Sequence, residues 1–155
     1  MLMILTLGLR VSEATKMRCE HIDFSRRSLF VKEAKGKRDR MLPLPQVVIG
    51  PLRGWLKGRK KGPVFPSPRG GHLTTRAVQL LFKRTAVKAG LEDALKARKY
   101  HPHSFRHEFA VRLLRSGADI MEIKDLLGHS NLQTTTIYLA TDPDRMRAAV
   151  DRVYS

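Results

Sequence analysis

Apolar residues with helical spacing, closed by a glycine, constrain the fold of this chain more than any other feature. Phe105, Phe109 and Leu113 recur every four residues, and Gly117 follows them. A spacing of four places these side chains on one face of a helix, and glycine commonly follows a helix end. The pattern therefore predicts a helix over about 104–115 that buries one face in a core.

A second run that ends in glycine follows directly. Asp119 is a favoured N-cap residue, apolar side chains recur after it as far as Leu127, and Gly128 ends the run. The same signals predict helices over residues 2–7, 12–17 with Ser12 as cap, 45–56, 74–88 with Thr74 or Thr75 as cap, 132–139 and 143–153. Residues 92–100 are ambiguous between helix and loop.

A β-hairpin is predicted where the spacing changes from helical to alternating. Ser28–Glu33 and Asp39–Leu44 alternate apolar and polar residues, and they flank the basic segment 34–38. Pro43 and Pro45 end the second strand, because proline lacks the N–H that a sheet requires.

The segment that follows the 45–56 helix is predicted to be a loop. Residues 58–71 hold four glycines and three prolines, with a short strand expected at Val64 and Phe65. The predicted fold class is therefore mainly α with a small antiparallel β-sheet (α+β).

The charge balance indicates a polyanionic partner. Lysine and arginine number 30 against 14 acidic residues, which gives a net charge of +16 over 155 residues. Such an excess favours nucleic acid as the partner, and the alternative is a solvated basic surface. A membrane surface is disfavoured because no long amphipathic helix carries the charge.

Chain length and cysteine content limit the number of domains and the cellular compartment to be expected. A chain of 155 residues is predicted to form one domain. Cys19 is the only cysteine, so no disulfide framework can form and a cytoplasmic location fits. The apolar segment 1–9 is too short to span a membrane and lacks the basic start of a signal peptide.

One helix start carries groups that suit phosphate. His103 and Arg106 are three residues apart and therefore share a helix face. A helix N-terminus presents unpaired N–H groups and the positive end of a dipole to an anion. The alternative is an ordinary surface histidine and arginine near a cap.

Four short segments are distributed over residues 8–140. They are Gly-Leu-Arg-Val-Ser-Glu at 8–13, Lys-Gly-Lys-Arg-Asp-Arg at 35–40, His-Ser-Phe-Arg-His at 103–107, and Leu-Gly-His at 127–129 followed by Thr-Thr-Thr-Ile-Tyr at 134–138. Together they resemble the catalytic domain of the tyrosine recombinases, the family of phage integrases and Xer recombinases. In order, they are similar to its first arginine motif, its β-hairpin lysine motif, its His-x-Leu-Arg-His motif and its closing Leu-Gly-His and Thr-Thr-x-x-Tyr segments.

The resemblance implies a phosphate-binding set. Arg10 and Arg106 would clamp the non-bridging oxygens of the scissile phosphate, which suits the planar, permanently charged guanidinium. His129 would hydrogen-bond the same phosphate, and Glu13 would support the site by fixing a neighbouring cation. Preformed cations stabilise the more negative pentavalent transition state preferentially.

The resemblance also implies a set of proton-transfer and nucleophilic groups. Tyr138 would attack phosphorus and become linked to a 3′-phosphate, although its pKa near 10 makes it a poor nucleophile at neutral pH. His103 would act as the base and Lys35 would protonate the departing 5′ oxygen. Residues expected to contact DNA are Lys37, Arg38, Arg40, Arg76 and His107.

No cofactor is implied, because no carboxylate cluster suggests Mg²⁺. Zinc at the three histidines of 101–107 is disfavoured, because nearby arginines would repel a metal. Glu108 follows His107 where the family often has Ser or Thr; an acid there is unfavourable unless it points away or pairs with arginine.

The family resemblance implies an architecture and partners as well. Residues 1–155 would be a single catalytic domain, a C-terminal fragment without the family's N-terminal DNA-binding domain. The partner would be double-stranded DNA. On DNA the chain would form a homotetramer through the 143–153 helix, and without DNA it would be a monomer. The alternative for this helix is that it packs on the core of its own chain. No membrane association is expected, and the location would be cytoplasmic, at the nucleoid.

Two other functions compete. A type IB topoisomerase-like nicking and closing enzyme uses a related residue set but works alone. A DNA-binding module without catalysis would explain the basic charge, and residues 120–139 resemble a helix-turn-helix. Tyr138→Phe separates binding from catalysis, because only an enzyme loses a covalent DNA adduct.

Overall fold

The structure, a computed structural model, describes residues 1–32, 39–96 and 101–128. In chain order its elements are α1 (Leu2–Leu7), α2 (Val11–Thr15), a 3₁₀ turn (Cys19–His21), β1 (Ile22–Asp23), β2 (Ser28–Val31), β3 (Arg40–Pro43), α3 (Gln46–Leu56), α4 (Thr75–Lys88), α5 (Glu92–Lys96), α6 (Pro102–Arg115) and α7 (Ile120–Leu127). The predicted fold class, mainly helical with a small antiparallel sheet, is confirmed.

The sheet has three antiparallel strands in the order β1-β2-β3. The predicted hairpin is confirmed, with Leu29 opposite Leu42 and Val31 opposite Arg40. The two-residue strand β1 was not predicted, because two residues carry no readable alternation. The hairpin tip, residues 33–38, lies outside the described residues.

The larger hydrophobic core joins the sheet to the helices on either side of it in sequence. Leu29 and Leu42 point inward from β2 and β3, and Val48 of α3 packs with them; all three are at most 1% exposed. Ile4 and Leu7 of α1 belong to the same cluster. The sheet therefore rests on a helical layer, and its inward positions are fixed by period-two alternation.

A smaller core holds α6 and α7 together. It consists of Ala110 and Leu114 from α6 and Ile123 and Leu127 from α7, each at most 1% exposed. Since α1 also packs against α6, the N-terminal segment and this helix pair are brought side by side.

Two helices begin at residues other than those predicted. Ser12 is not a cap: α2 begins at Val11, and the Glu13 carboxylate accepts a hydrogen bond from the backbone N–H of its N-cap residue Arg10. α6 begins at Pro102, two residues before the predicted start, because proline suits the first helical position.

The strand predicted at Val64 and Phe65 is wrong. Isolated antiparallel pairs, Arg18 with Pro63 and Pro66 with His72, lie on either side instead. Proline lacks the N–H that would extend either pair into a ladder.

The remaining predicted helices among the described residues are confirmed. α1, α3, α4 and α7 match their predicted ranges, and Thr74 Oγ1 caps α4 by accepting from Ala77 N at 3.1 Å. The predicted helices over 132–139 and 143–153 lie outside the described residues. Among the described helices, none combines the length and hydropathy needed to cross a bilayer.

Candidate active site

A buried carboxylate stands at the centre of the candidate site. The Glu13 side chain is 5% exposed, and its Oε1 lies 2.6 Å from Arg10 Nη1. Its Oε2 accepts from the Arg10 backbone N–H at 2.7 Å. Because Glu13 is the third residue of α2, one carboxylate both closes the helix start and holds the arginine side chain.

Two further arginines reach the same carboxylate from distant parts of the chain. Arg40 Nη2 lies 2.9 Å from Glu13 Oε2, and the Arg40 side chain is 9% exposed. Arg106 Nη1 lies 3.9 Å from the same oxygen, and Arg106 is 1% exposed. A buried carboxylate requires compensating charge, which these guanidinium groups supply.

The same three arginines bind the C-terminal end of α7. Arg40 Nε donates to the Leu126 carbonyl at 3.0 Å, Arg106 Nη2 donates to the Leu127 carbonyl, and Arg10 Nη2 donates to the Gly128 carbonyl at 3.0 Å. These are the carbonyls that a helix end leaves without intrahelical partners, and they form the negative end of its dipole. Three consecutive carbonyls thus each bind a different arginine, immediately before residue 129.

The Arg106 side chain links α6 to the residue after α1 and to the end of α7. Its Nη1 donates to the Gly8 carbonyl, just after α1, and its Nη2 donates to α7. Gly8 has a φ of +61°, in the left-handed region, so its carbonyl can turn towards α6. The guanidinium is therefore held in place by backbone groups before any ligand arrives.

His103 lies on the first turn of α6, three residues before Arg106, and the residue as a whole is exposed although its ring is partly covered. Partial burial of the ring and then the positive charge of Arg106 lower the pKa of His103 below 6.5, with smaller effects from His101, Arg10 and His107. The ring stacks on His101, with centroids 6.2 Å apart and planes at 14°. A lowered pKa keeps the imidazole neutral near pH 7 and able to accept a proton.

A basic cleft opens beside Arg10. It has a volume of about 360 Å³, and its walls include Glu13, Lys16, Arg18 and Lys32. The Arg10 side chain is 26% exposed, so an anion in this cleft can reach it. Since Lys32 directly precedes the hairpin segment 33–38, the cleft lies at the base of that hairpin.

Comparison with known proteins identifies the family of this chain. The sequence profile of the phage integrase family matches residues 1–145. The chain belongs to the phage integrase family. The tyrosine recombinase XerA of Thermococcus kodakarensis is 36% identical over 97% of this chain and 53% of its own length. The chain thus spans about half the length of the curated relatives it matches.

Solved structures place the fold in the same family. The crystal structure of XerA recombinase superposes with a TM-score of 0.80 at 25% identity, covering 99% of this chain and 55% of the other. XerH recombinase in a pre-cleavage complex with its difH substrate gives a TM-score of 0.75 at 25% identity, covering 96% and 44%.

The family resemblance predicted twelve site residues, and the structure brings five of them together: Arg10, Glu13, Arg40, His103 and Arg106. Arg10, Glu13 and Arg106 meet at the end of α7, and His103 lies close enough to both arginines for their charges to lower its pKa. The predicted site residues that lie outside the described residues are Lys35, Lys37, Arg38, His129 and Tyr138.

Three of the described site residues were predicted to contact DNA, and they differ in their surroundings. Arg76 is exposed on the first turn of α4 and lines a groove with His101. His107 is exposed on α6. Arg40 points inward, and at 9% exposure its side chain has little surface to offer a phosphate.

The inward direction of the Arg40 side chain could have been predicted from the pattern of its strand. Residues two apart in a strand share a face, so the alternation that buries Leu42 also directs Arg40 inward. An acid at position 108 was expected to be unfavourable unless it points away or pairs with an arginine, and Glu108 does pair with one. Its Oε1 lies 2.7 Å from Arg112 Nε, on the exposed surface of α6. That pairing offsets its charge.

Proposed function

We propose that this chain is the catalytic domain of a site-specific DNA recombinase or integrase. It cleaves and rejoins DNA without a metal, through a 3′-phosphotyrosyl intermediate. The observation that carries the proposal is the convergence of Arg10 and Arg106 on one carboxylate and one helix end, although they are separated by most of the chain. That convergence makes one preformed cationic site.

The two arginines differ in how they reach a phosphate. Arg10 opens into the basic cleft and can bind a non-bridging oxygen there directly. Arg106 is covered in this structure, so its contact with a phosphate requires the atoms that cover it to move. Its backbone hydrogen bonds hold it ready, which lowers the reorganisation needed as negative charge develops in the transition state.

Proton transfer and attack are assigned to four residues. His103 accepts the proton of Tyr138, whose phenolate oxygen attacks phosphorus and displaces the 5′ oxygen, and Lys35 gives that oxygen a proton. His129 hydrogen-bonds the phosphate. Rejoining reverses the exchange, and the phosphotyrosyl bond conserves the energy that ligation requires. The lowered pKa of His103 supports its role as base.

The proposed partner is double-stranded DNA, in keeping with the net charge of +16. XerH recombinase, which shares this fold over 44% of its own chain, was solved bound to its difH substrate. Within a longer protein, the domain would act in a homotetramer that forms on DNA through residues 143–153. The cellular location would be the cytoplasm, at the nucleoid.

A trapping experiment tests the proposal. Duplexes enriched from a random library by binding to the chain are remade with a nick near each candidate phosphate, so that the cleaved fragment diffuses away. The expected result is a protein–DNA band that survives denaturation with the parent chain and is missing with Tyr138→Phe, while both proteins bind the duplex equally.

Three other results would contradict the proposal. No covalent band on any enriched duplex would indicate a binding module. A band that persists in Tyr138→Phe would assign the nucleophile to another residue. Relaxation of a supercoiled plasmid by isolated monomers, without exchange between two sites, would favour the topoisomerase-like enzyme.

A further inference from the structure

We propose that Arg40 is a positioning residue for the cleavage reaction and not a ligand for DNA. By holding Glu13 and the end of α7 at once, it fixes the backbone that leads into His129 relative to the Arg10–Arg106 pair. The expected effect on the cleavage rate rests on the proposed function. The role of Arg40 in holding α2 and α7 rests only on the contacts of its own side chain.

The guanidinium of Arg40 joins three parts of the chain. It extends from β3, pairs with Glu13 Oε2 on α2 at 2.9 Å, and donates from Nε to the Leu126 carbonyl on α7 at 3.0 Å. These two acceptors are more than a hundred residues apart in sequence. A shift of the Arg40 guanidinium would therefore change the positions of α2 and α7 relative to the sheet.

Only arginine fits this position. Its Nε and Nη groups donate along fixed directions, so two acceptors at a set separation can be held together. A lysine carries a single ammonium on a flexible stem, so it can supply the charge but not the two directed donors.

Gly128 shows how closely Arg40 lies against the turn after α7. A β-carbon on Gly128 would lie 2.7 Å from Arg40 Nη1, which is too close, and 3.0 Å from Cζ, which is a tight contact. Gly128 also has a φ of +62°. The absence of a side chain thus allows both the left-handed turn and the close approach of the guanidinium.

The same contacts argue against a DNA-binding role. A side chain that is 9% exposed and engaged with a carboxylate and a carbonyl has few counterions to release when DNA binds. Each phosphate contact by a lysine or arginine contributes about one unit to the slope of log K against log salt. Removal of Arg40 should leave that slope unchanged.

The experiment compares Arg40→Gln and Arg40→Lys with the control Arg26→Gln. Arg26 lies in the turn between β1 and β2, and its side chain is 86% exposed, so the control removes the same charge without the inward contacts. Three quantities are measured on the whole chain: backbone amide NMR shifts, the salt slope of binding to an enriched duplex, and the single-turnover cleavage rate at saturating protein.

For both Arg40 variants, we expect amide shift changes at residues 126–129 and an unchanged salt slope. We also expect the cleavage rate per folded molecule to fall roughly tenfold to a hundredfold, the scale of a displaced reacting group. Lysine should not restore the rate, because charge alone does not hold two acceptors. Arg26→Gln should leave the amide signals of residues 126–129 and the rate unchanged.

The outcomes that overturn the inference are distinct. Unmoved amide signals at residues 126–129, a salt slope that falls by about one in Arg40→Gln, or full activity in Arg40→Lys would each reject it. A loss of folding stability with an unchanged rate per folded molecule would show a purely structural role. Absence of any adduct with the parent chain rejects the proposed function instead, and the positioning role is then decided by the amide shifts and salt slope.

Discussion

The Gly8 carbonyl accepts a hydrogen bond from Arg106 Nη1 across 98 residues of sequence. This contact fastens the end of α1 to the inner face of α6, where the second candidate phosphate-binding arginine is buried. Gly8 therefore has two constraints, a left-handed backbone and a neighbour that leaves no room for a side chain. Replacing Gly8 therefore tests how closely the residues around it are packed.

Gly8→Ala should lower the free energy of unfolding by about 2 to 4 kcal/mol. The left-handed conformation is unfavourable for alanine, and overpacking adds a further cost. The new β-carbon would meet the ring of Phe109 and would lie 2.9 Å from Leu127 Cδ2. Urea denaturation measures the change.

Gly54→Ala is the matched control, since Gly54 lies in α3 and has no atoms within 4 Å of an added β-carbon. Gly54→Ala should raise the free energy of unfolding by about 0.5 to 1 kcal/mol, because alanine favours the helix more than glycine does. Equal effects at the two positions would contradict the packing at Gly8.

Glu13→Gln should lower the free energy of unfolding by about 3 to 5 kcal/mol, the usual cost of removing one partner from a buried charge cluster. The variant leaves Arg10, Arg40 and Arg106 close together without their shared carboxylate. Chemical denaturation at neutral pH measures the loss.

The control is Glu108→Gln, which breaks the exposed pair with Arg112 on α6. An exposed pair of this spacing contributes about 0.3 to 0.5 kcal/mol. A loss at Glu13 as small as the loss at Glu108 would contradict this prediction, because it would mean that the backbone carbonyls hold the arginines without the carboxylate.

His103 should titrate below 6.5 in the folded chain. Because the folded state then binds fewer protons than the unfolded state, the contribution of His103 to stability is fully present above about 6.5 and is lost as the pH falls towards the lowered value. NMR titration of the imidazole signals in the folded chain and in concentrated urea measures both values. A folded pKa equal to or above the unfolded one would argue against His103 as a base that is neutral at pH 7.

Lys35→Ala should slow single-turnover cleavage by roughly a hundredfold to ten-thousandfold, the usual effect of removing a general acid. A substrate with sulfur in place of the 5′ bridging oxygen should restore the rate, because a thiolate with a pKa near 8.5 leaves without a proton. The measurement is adduct formation on both substrates.

Lys37→Ala is the comparison for that test, as Lys37 is assigned to DNA contact. It should weaken binding and lower the salt slope by about one, while the rate at saturation stays unchanged. Rescue of Lys37→Ala by the sulfur substrate, with none for Lys35→Ala, would transfer the general acid role to Lys37.

Local signals predicted most of the described helices and the hairpin, because caps, glycine ends and periodic apolar residues act within a few positions. Asp119 was predicted correctly as a cap for this reason, and Thr74 is one of the two caps predicted for α4. Ser12 was misread, since the Glu13 carboxylate closes the start of α2 from inside the helix. Local capping preferences do not reveal that this same carboxylate is held by arginines from β3 and α6.

The sequence by itself determined the fold class, the basic character and the motifs that mark the family, because each of these depends on residue type and short-range spacing. Only the tertiary structure decided that Arg10, Arg40 and Arg106 share Glu13 and the end of α7. Such contacts link residues up to 118 positions apart, and they form because the packing of α1, α6, α7 and the sheet places these groups in one largely buried region. A charged side chain in that region must find partners, and the fold determines which ones are within reach.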